Sequence, residues 1–168
     1  MRRSSIVVLE RGGYVSFANC GLAYYVGGVI QHRDDLLLQT PEKLAARFRL
    51  DVRVASEVTA IDRAARTVTV RDHLDGRIYD ESYDELVLAM GAGALYPEVP
   101  GAELMLTLRS IEDLDSIVAT VDTLTPDTLT PGGRAVVLGA GYVGLEMVEN
   151  LVARGLSVTL VHRGWICT

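Results

Sequence analysis

The chain has 168 residues, 49% of them apolar, and a formal net charge of −6. That length supports one good core or two partial ones, and an acidic balance with no Lys/Arg cluster argues against a nucleic-acid partner. No run approaches the ~18 apolar residues that span a bilayer, and the basic start Met1-Arg2-Arg3-Ser4-Ser5 leads into an apolar stretch too short for a secretory signal. The composition therefore reads as a soluble, globular, cytoplasmic protein with no membrane partner. Cys20 and Cys167 show no paired spacing, and His32, His73 and His162 are scattered, a pattern that offers neither a disulfide framework nor a metal site.

In chain order, Ile6–Leu9 reads as a buried strand ending at Glu10 and a Gly12-Gly13 turn. Glu10 stands where a dinucleotide fold puts its ribose-binding acid, or is an ordinary surface acid at a strand end. The glycine loop of such a unit belongs about twenty residues upstream, whereas only Met1 to Leu9 precede Glu10. The chain is thus expected to start inside one nucleotide-binding unit, and to stop just after the second strand of another. Cys20 follows Ser16 and Asn19, two polar side chains, and precedes Gly21 and an apolar Leu22-Ala23-Tyr24-Tyr25 run that can open a helix. A thiolate at a helix N-terminus, met by backbone N–H groups, is a nucleophile. The same residues suit a buried structural cysteine, one of the most buried residue types.

Thr40-Pro41-Glu42 has the marks of a helix start: an N-cap threonine, proline in the first turn and an early acid. The predicted helix runs to about Arg49. Strand-like pieces follow at Asp51–Val54, Glu57–Ile61 and Thr67–Arg71, the last two forming a hairpin across Asp62–Arg66. Asp75-Gly76 is a turn, Tyr79–Tyr83 a further strand, and Glu85–Met90 a buried strand ending at Gly91-Ala92-Gly93. The Pro97–Gly101 stretch reads as a crossing between domains, Ile111–Val121 as an amphipathic helix, and Thr123–Gly133, with Pro126 and Pro131, as a loop.

The run Ala135-Val136-Val137-Leu138-Gly139-Ala140-Gly141-Tyr142-Val143-Gly144 opens a helical pattern to about Arg154, and Ser157–Val161 completes a βαβ unit. In a dinucleotide fingerprint, Gly139 makes the tight turn, Gly141 lets a pyrophosphate approach the backbone and Gly144 lets helix and strand pack closely. The phosphate then sits on the helix N-terminus. After the second strand, the position that takes NAD ribose hydroxyls carries His162-Arg163 instead of an acid. That cationic pair suits the 2′-phosphate of NADP; alternatively Gly164–Thr168 is an atypical tail and His162 has no such role.

Ile6–Arg11 followed by Tyr14–Leu22, with Ser16, Asn19 and Cys20 at motif spacing, is similar to coenzyme A disulfide reductases, which are FAD-dependent pyridine nucleotide–disulfide oxidoreductases. Asp51–Val54, the hairpin Ile61–Val70, Ser82–Ala89, Val99–Gly101 and the fingerprint at Gly139 resemble the same family, so the likeness runs from Ile6 to Val161. The resemblance implies an α/β, FAD/NAD(P)-binding Rossmann-like two-domain fold, incomplete here: residues 1–105 as part of an FAD-binding domain with a β-hairpin insertion, and 106–168 as part of an NAD(P)-binding domain. It implies a homodimeric flavoenzyme in which NAD(P)H reduces FAD, and FAD reduces one cysteine held as a mixed disulfide with coenzyme A or a related persulfide. Cys20 matches that cysteine, with Asn19 and Ser16 as its polar neighbours. Glu10 matches the acid on the FAD ribose, with Arg11 beside it, and Gly91-Ala92 match the turn passing the flavin, although Met90 replaces the usual threonine. Tyr142 matches the aromatic covering the nicotinamide pocket and Glu146 the acid beside it. From the residues alone, Tyr142 is equally a helix-surface aromatic and Glu146 a solvated helix charge. With the family's first glycine loop absent from this sequence, this chain alone is expected to bind flavin weakly or not at all and to turn over poorly. Two other functions stay open: an NADH oxidase or peroxidase cycling Cys20 through sulfenic acid, and a non-catalytic nucleotide-binding fragment.

Overall fold

A computed structural model describes residues 5–125 and 133–164. The basic Met1–Ser4 start, the Pro126 and Pro131 loop and the Trp165–Thr168 tail with Cys167 lie outside the described residues. The chain forms two compact units that interleave along the sequence: Met1–Phe17 with Leu37–Gly93, and Ala18–Leu36 with Ala94–Thr168.

The first unit contains two sheets. Strand β1 (Val7–Leu9) pairs in parallel with β2 (Asp51–Arg53), in register Val7 to Asp51, and the crossover helix α2 (Pro41–Phe48) lies between them in sequence. Helix α1 (Leu22–Val26) belongs to the second unit. The Thr40 side chain accepts the Lys43 backbone N–H, Pro41 occupies the first turn, and Arg49 ends α2 in the left-handed region at φ 58°; each is the local event its residue type favours. Strands β3 (Ser56–Asp62), β4 (Thr67–Asp72) and β5 (Ile78–Ser82) form an antiparallel sheet in the order β3-β4-β5. Asp62 Oδ1 accepts the Ala64 and Ala65 N–H groups at 2.9 Å each, closing the first turn, and Gly76 supplies the positive φ of the second. Val68 and Val70 point inward at period two. Arg53 ties β2 to this sheet, donating to Glu81 at 2.6 Å and Tyr79 Oη at 3.1 Å. A hydrogen bond to Asp51, then that to Tyr79, raises its affinity for the proton above the ordinary arginine range.

Two expectations need correction. Ile6–Leu9 was expected to be a buried strand, but β1 is only half-buried because its sheet has two strands. Glu85–Met90 was also expected as a buried strand; instead it is irregular, with Val87 85% and Met90 82% exposed. Its apolar run has the composition of a strand, yet it pairs with none of the described strands, and a strand exists only as a paired one.

The second unit holds α1 (Leu22–Val26), α3 (Ile111–Leu124), and a parallel β6–α4–β7 unit formed by Arg134–Leu138, Tyr142–Ala153 and Ser157–Val161. Its core is Leu22, Val26, Leu36, Ile111, Leu114, Val121, Met147 and Leu151. The α3 residues among these recur at helical spacing, giving the helix one buried face. Helix α3 begins with a capping box: Ser110 Oγ accepts the Asp113 N–H, and Asp113 Oδ2 accepts the Ser110 N–H. The parallel pairs in both units make the fold α/β, as expected. No helix among the described residues is long and apolar enough to cross a membrane. Ser110→Ala removes one half of the capping box and is expected to lower stability by about 1 kcal/mol; urea denaturation checks this, and Ser110→Thr should recover most of the loss.

Candidate active site

The second unit brings Cys20 together with the start of α4. A 3₁₀ turn, Asn19–Gly21, leads into α1. A side chain at buried Gly21 would meet Leu36 Cδ2 at 2.7 Å, so the turn closes on the core only with glycine there. Cys20 itself is exposed, which replaces the buried-thiol alternative.

From this turn α1 runs along α4, whose contacting residues recur every four positions. Tyr142 Oη donates to Cys20 Sγ at 3.8 Å, and Tyr24 Oη donates to Glu146 Oε1 at 3.3 Å. Gly27 lies against buried Asn150: a Cβ at Gly27 would fall 1.9 Å from Asn150 Oδ1. Arg154 donates to the Val26 carbonyl at 3.0 Å and to Asp122 of α3 at 2.6 Å. Residues 142, 146, 150 and 154 are thus consecutive rungs on one face of α4. Tyr142 and Glu146 were expected near the site; Tyr142 is 62% exposed on the helix surface while touching Cys20, and Glu146 is half-buried against Tyr24.

The charges couple through this seam. The Glu146 carboxylate raises the Tyr24 phenol above its ordinary value, first by Coulomb repulsion of the phenolate and then by accepting its hydrogen bond. Tyr142 is raised as well, first because its proton is shared with Cys20 Sγ. A bond of this kind strengthens when the sulfur carries charge. Beside it opens a cleft of about 210 Å³, walled by Asn19, Leu22, Leu108, Arg109, Tyr142 and Glu146. Sequence reasoning missed Tyr24, Arg109 and Asn150. Tyr24 and Asn150 had a signal in their spacing of four from Cys20 and Glu146; Arg109 had none.

At the other side of α4's first turn, Gly139 takes φ 105° and donates its N–H to Val161 O at 2.8 Å. A Cβ at Gly144 would lie 2.0 Å from the Gly139 carbonyl oxygen, while one at Gly141 would meet nothing within 4 Å. The three glycines therefore do what the fingerprint requires: turn, open approach and close packing. His162 reaches this loop, where its Nδ1 accepts the Ala140 N–H at 3.2 Å; Arg163 is exposed next to it.

The remaining expected residues belong to the first unit. Glu10 Oε1 accepts the Gly12 N–H at 2.7 Å at the end of β1, and Arg11 is exposed. Ser16 forms an isolated antiparallel bridge with Gln39. Gly91, at φ 67°, and Ala92 are exposed, with open space where a Gly91 side chain would be. Among the described residues, no three His, Cys, Asp or Glu side chains cluster as metal ligands.

The profile of the pyridine nucleotide-disulphide oxidoreductases matches residues 2–168. The chain belongs to this family. Its members are FAD-dependent oxidoreductases that use NAD(P)H. The coenzyme A disulfide reductase of Staphylococcus epidermidis strain RP62A is 40% identical over 162 residues, covering 96% of this chain and 35% of the relative. The crystal structure of reduced Bacillus anthracis CoADR-RHD superposes with a TM-score of 0.86 at 44% identity, over 96% of this chain and 28% of that one. An NAD-dependent persulfide reductase from A. fulgidus gives 0.82 at 34%, over 93% and 29%. The chain thus spans about a third of the length of the curated relatives it matches.

Two outcomes test this site. Gly144→Ala forces a Cβ into the Gly139 carbonyl and is expected to cost about 1–3 kcal/mol, read as a lower thermal midpoint. Glu146→Gln removes the charge opposing Tyr24 ionisation, and Cys20→Ala removes the partner holding the Tyr142 proton. Each variant should therefore move the phenolate absorbance of its tyrosine to lower pH, with Tyr24→Phe and Tyr142→Phe identifying the bands. Because both phenols are raised, the stability they contribute is present below the ordinary tyrosine value near 10 and is lost as pH rises through the folded values.

Proposed function

We propose that this chain carries the redox cysteine and the NAD(P)-binding glycine loop of a coenzyme A disulfide reductase-like oxidoreductase. The observation that carries the reading is the exposed Cys20 at the N-terminal end of α1, hydrogen-bonded by Tyr142 from the helix that the glycine loop opens. In this reading residues 1–105 supply the FAD side and 106–168 the NAD(P) side, and the whole protein is a homodimer.

The residues fit the cofactors unequally. For NAD(P)H, the open approach at Gly141 and the N-terminus of α4 suit a pyrophosphate. For FAD, Glu10 stands at the end of β1 with one carboxylate oxygen held by the Gly12 N–H, a place that suits a ribose hydroxyl. The Cys20–Tyr142 contact leaves no room for a flat ring between them, which needs about 7 Å, two van der Waals separations. FAD, where bound, supplies two-electron transfer from NAD(P)H to a disulfide.

The chain's own step is thiol–disulfide exchange. The Cys20 thiolate attacks one sulfur of coenzyme A disulfide; the S–S bond breaks, a Cys20–coenzyme A mixed disulfide forms, and the released thiolate takes a proton. Two electrons originating in NAD(P)H, with one proton, then return Cys20 to the thiolate and free the second coenzyme A. Net, one disulfide, one NAD(P)H and one proton give two thiols and NAD(P)+. Tyr142 keeps a donor on the sulfur throughout the resting state, and the adjacent Arg109 cation in the cleft suits an acidic thiol.

Mixing the protein with coenzyme A disulfide should give one coenzyme A adduct by intact mass, absent in Cys20→Ser. NADPH-dependent disulfide reduction in the presence of FAD should fall about a hundredfold or more in the same variant. A sulfenate on Cys20, with no adduct, would instead support the oxidase or peroxidase reading.

A further inference from the structure

The cleft of about 210 Å³ is walled by Leu22, Leu108 and Val143 and carries one side chain of each charge, Arg109 and Glu146. The two are not paired with each other. Glu146 takes its hydrogen bond from Tyr24 at 3.3 Å. Arg109 is fixed through its backbone, whose N–H donates to Asp113 Oδ2 at 2.9 Å; the same oxygen accepts from Thr107 Oγ1 and the Ser110 N–H. That carboxylate is therefore engaged in starting α3. The Arg109 guanidinium has no ion-pair or hydrogen-bond partner among the described residues. Tyr142, a further wall, has its Oη 3.8 Å from Cys20 Sγ, so a disulfide seated in the cleft has its sulfurs beside the thiol.

A cation and an anion held apart in one small cleft are complementary to a zwitterion. A ligand with only one charge leaves the opposite side chain unanswered. The volume lies below the roughly 300–1,000 Å³ of pockets that take drug-sized ligands. It therefore suits one amino acid of cysteine's size and not a whole coenzyme A.

We propose that this cleft is a subsite for the amino-acid half of a small disulfide of the cystine type, with Arg109 taking the α-carboxylate and Glu146 the α-ammonium. The inference rests on Cys20 being the exchanging thiol and adds a second substrate class to it. The Cys20 thiolate attacks one cystine sulfur, the S–S bond breaks, a Cys20–cysteine mixed disulfide forms, and the released cysteine thiolate takes a proton from water. Guanidinium and carboxylate meet through two parallel hydrogen bonds, which orients the incoming sulfur as well as binding it. Where the nicotinamide also uses this cleft, the two ligands occupy it in turn, as a two-stage covalent reaction allows.

The test follows mixed-disulfide formation at Cys20, located by peptide mass, with L-cystine, cystamine, 3,3′-dithiodipropionate and coenzyme A disulfide. Cystamine lacks the carboxylate, and dithiodipropionate lacks the ammonium. Each rate is divided by that of the same disulfide with an unstructured cysteine peptide, which removes differences in leaving-group chemistry. So normalised, cystine should react about tenfold faster than cystamine and than dithiodipropionate, the scale of one charge-assisted hydrogen bond. The net charge of −6 favours cationic cystamine, so bulk attraction does not produce this order. Arg109→Gln should bring cystine within about threefold of cystamine, and Glu146→Gln within about threefold of dithiodipropionate. Each variant is compared with itself, so a general loss of reactivity does not imitate the result. Normalised rates that are equal or lower for cystine, or a preference that survives these substitutions, would overturn the proposal and leave thiol exchange at Cys20 intact. Absence of an adduct with all four disulfides would overturn the exchange reading, and this inference with it.

Discussion

The close approach of α1 to α4 governs the second unit. Two helices come within touching distance of backbone only where one of them has nothing beyond Cα, and Gly27 against Asn150 is that point. Asn150 is buried and spends its amide N–H on the Glu146 carbonyl, so it cannot swing aside without leaving a polar group unpaired. With the far end of the seam held by Gly27, and by Arg154 on the Val26 carbonyl, the near end is held too. Tyr24 is aligned with Glu146, and Cys20 with Tyr142. The position of the sulfur therefore depends on packing about two turns away as well as on Gly21 beside it.

The glycine loop shares its helix with that seam. One face of α4 carries Tyr142, Glu146, Asn150 and Arg154 toward α1, while its N-terminal turn carries the Gly139–Gly144 packing toward β6. Changes on either face are transmitted along one element of 12 residues, and Tyr142, which lies within the fingerprint and donates to Cys20, belongs to both cysteine and nucleotide loop. In the first unit Arg53 has a comparable place. It joins a parallel pair too small to bury its own strands to an antiparallel sheet with a valine core, through an acid and a phenol on β5.

What the sequence made legible was local. Thr40-Pro41 announces α2 because capping is settled within one turn, the Asp62–Arg66 hairpin because its turn chemistry is self-contained, and the fingerprint because three glycines at fixed spacing have few other uses. The family resemblance carried Cys20, Tyr142 and Glu146 to the site, beyond what their residue types alone established. Glu85–Met90 was misread for the converse reason. Apolar, β-prone composition states what a segment would do if paired, and this one pairs with none of the described strands. Arg109 escaped notice because nothing in its neighbours distinguishes it; it reaches the cleft only through the tertiary placement of the chain before α3. Asn150 looked like any polar residue in a helix until Gly27 was set against it.

The interleaving of the two units bears on how the molecule is made. Residues 18–36 leave the first unit, contribute α1 to the second, and return. The contacts that seat Cys20 therefore join residues 122 positions apart, and Arg154 meets Val26 across 128. Closing loops of that length costs chain entropy before the contacts that reward it exist, and such contacts form slowly. On a ribosome, Cys20 emerges long before the helix whose Tyr142 donates to it. The thiol accordingly spends synthesis and early folding without that hydrogen-bond donor, and the seam assembles only after the β6–α4–β7 unit has been built.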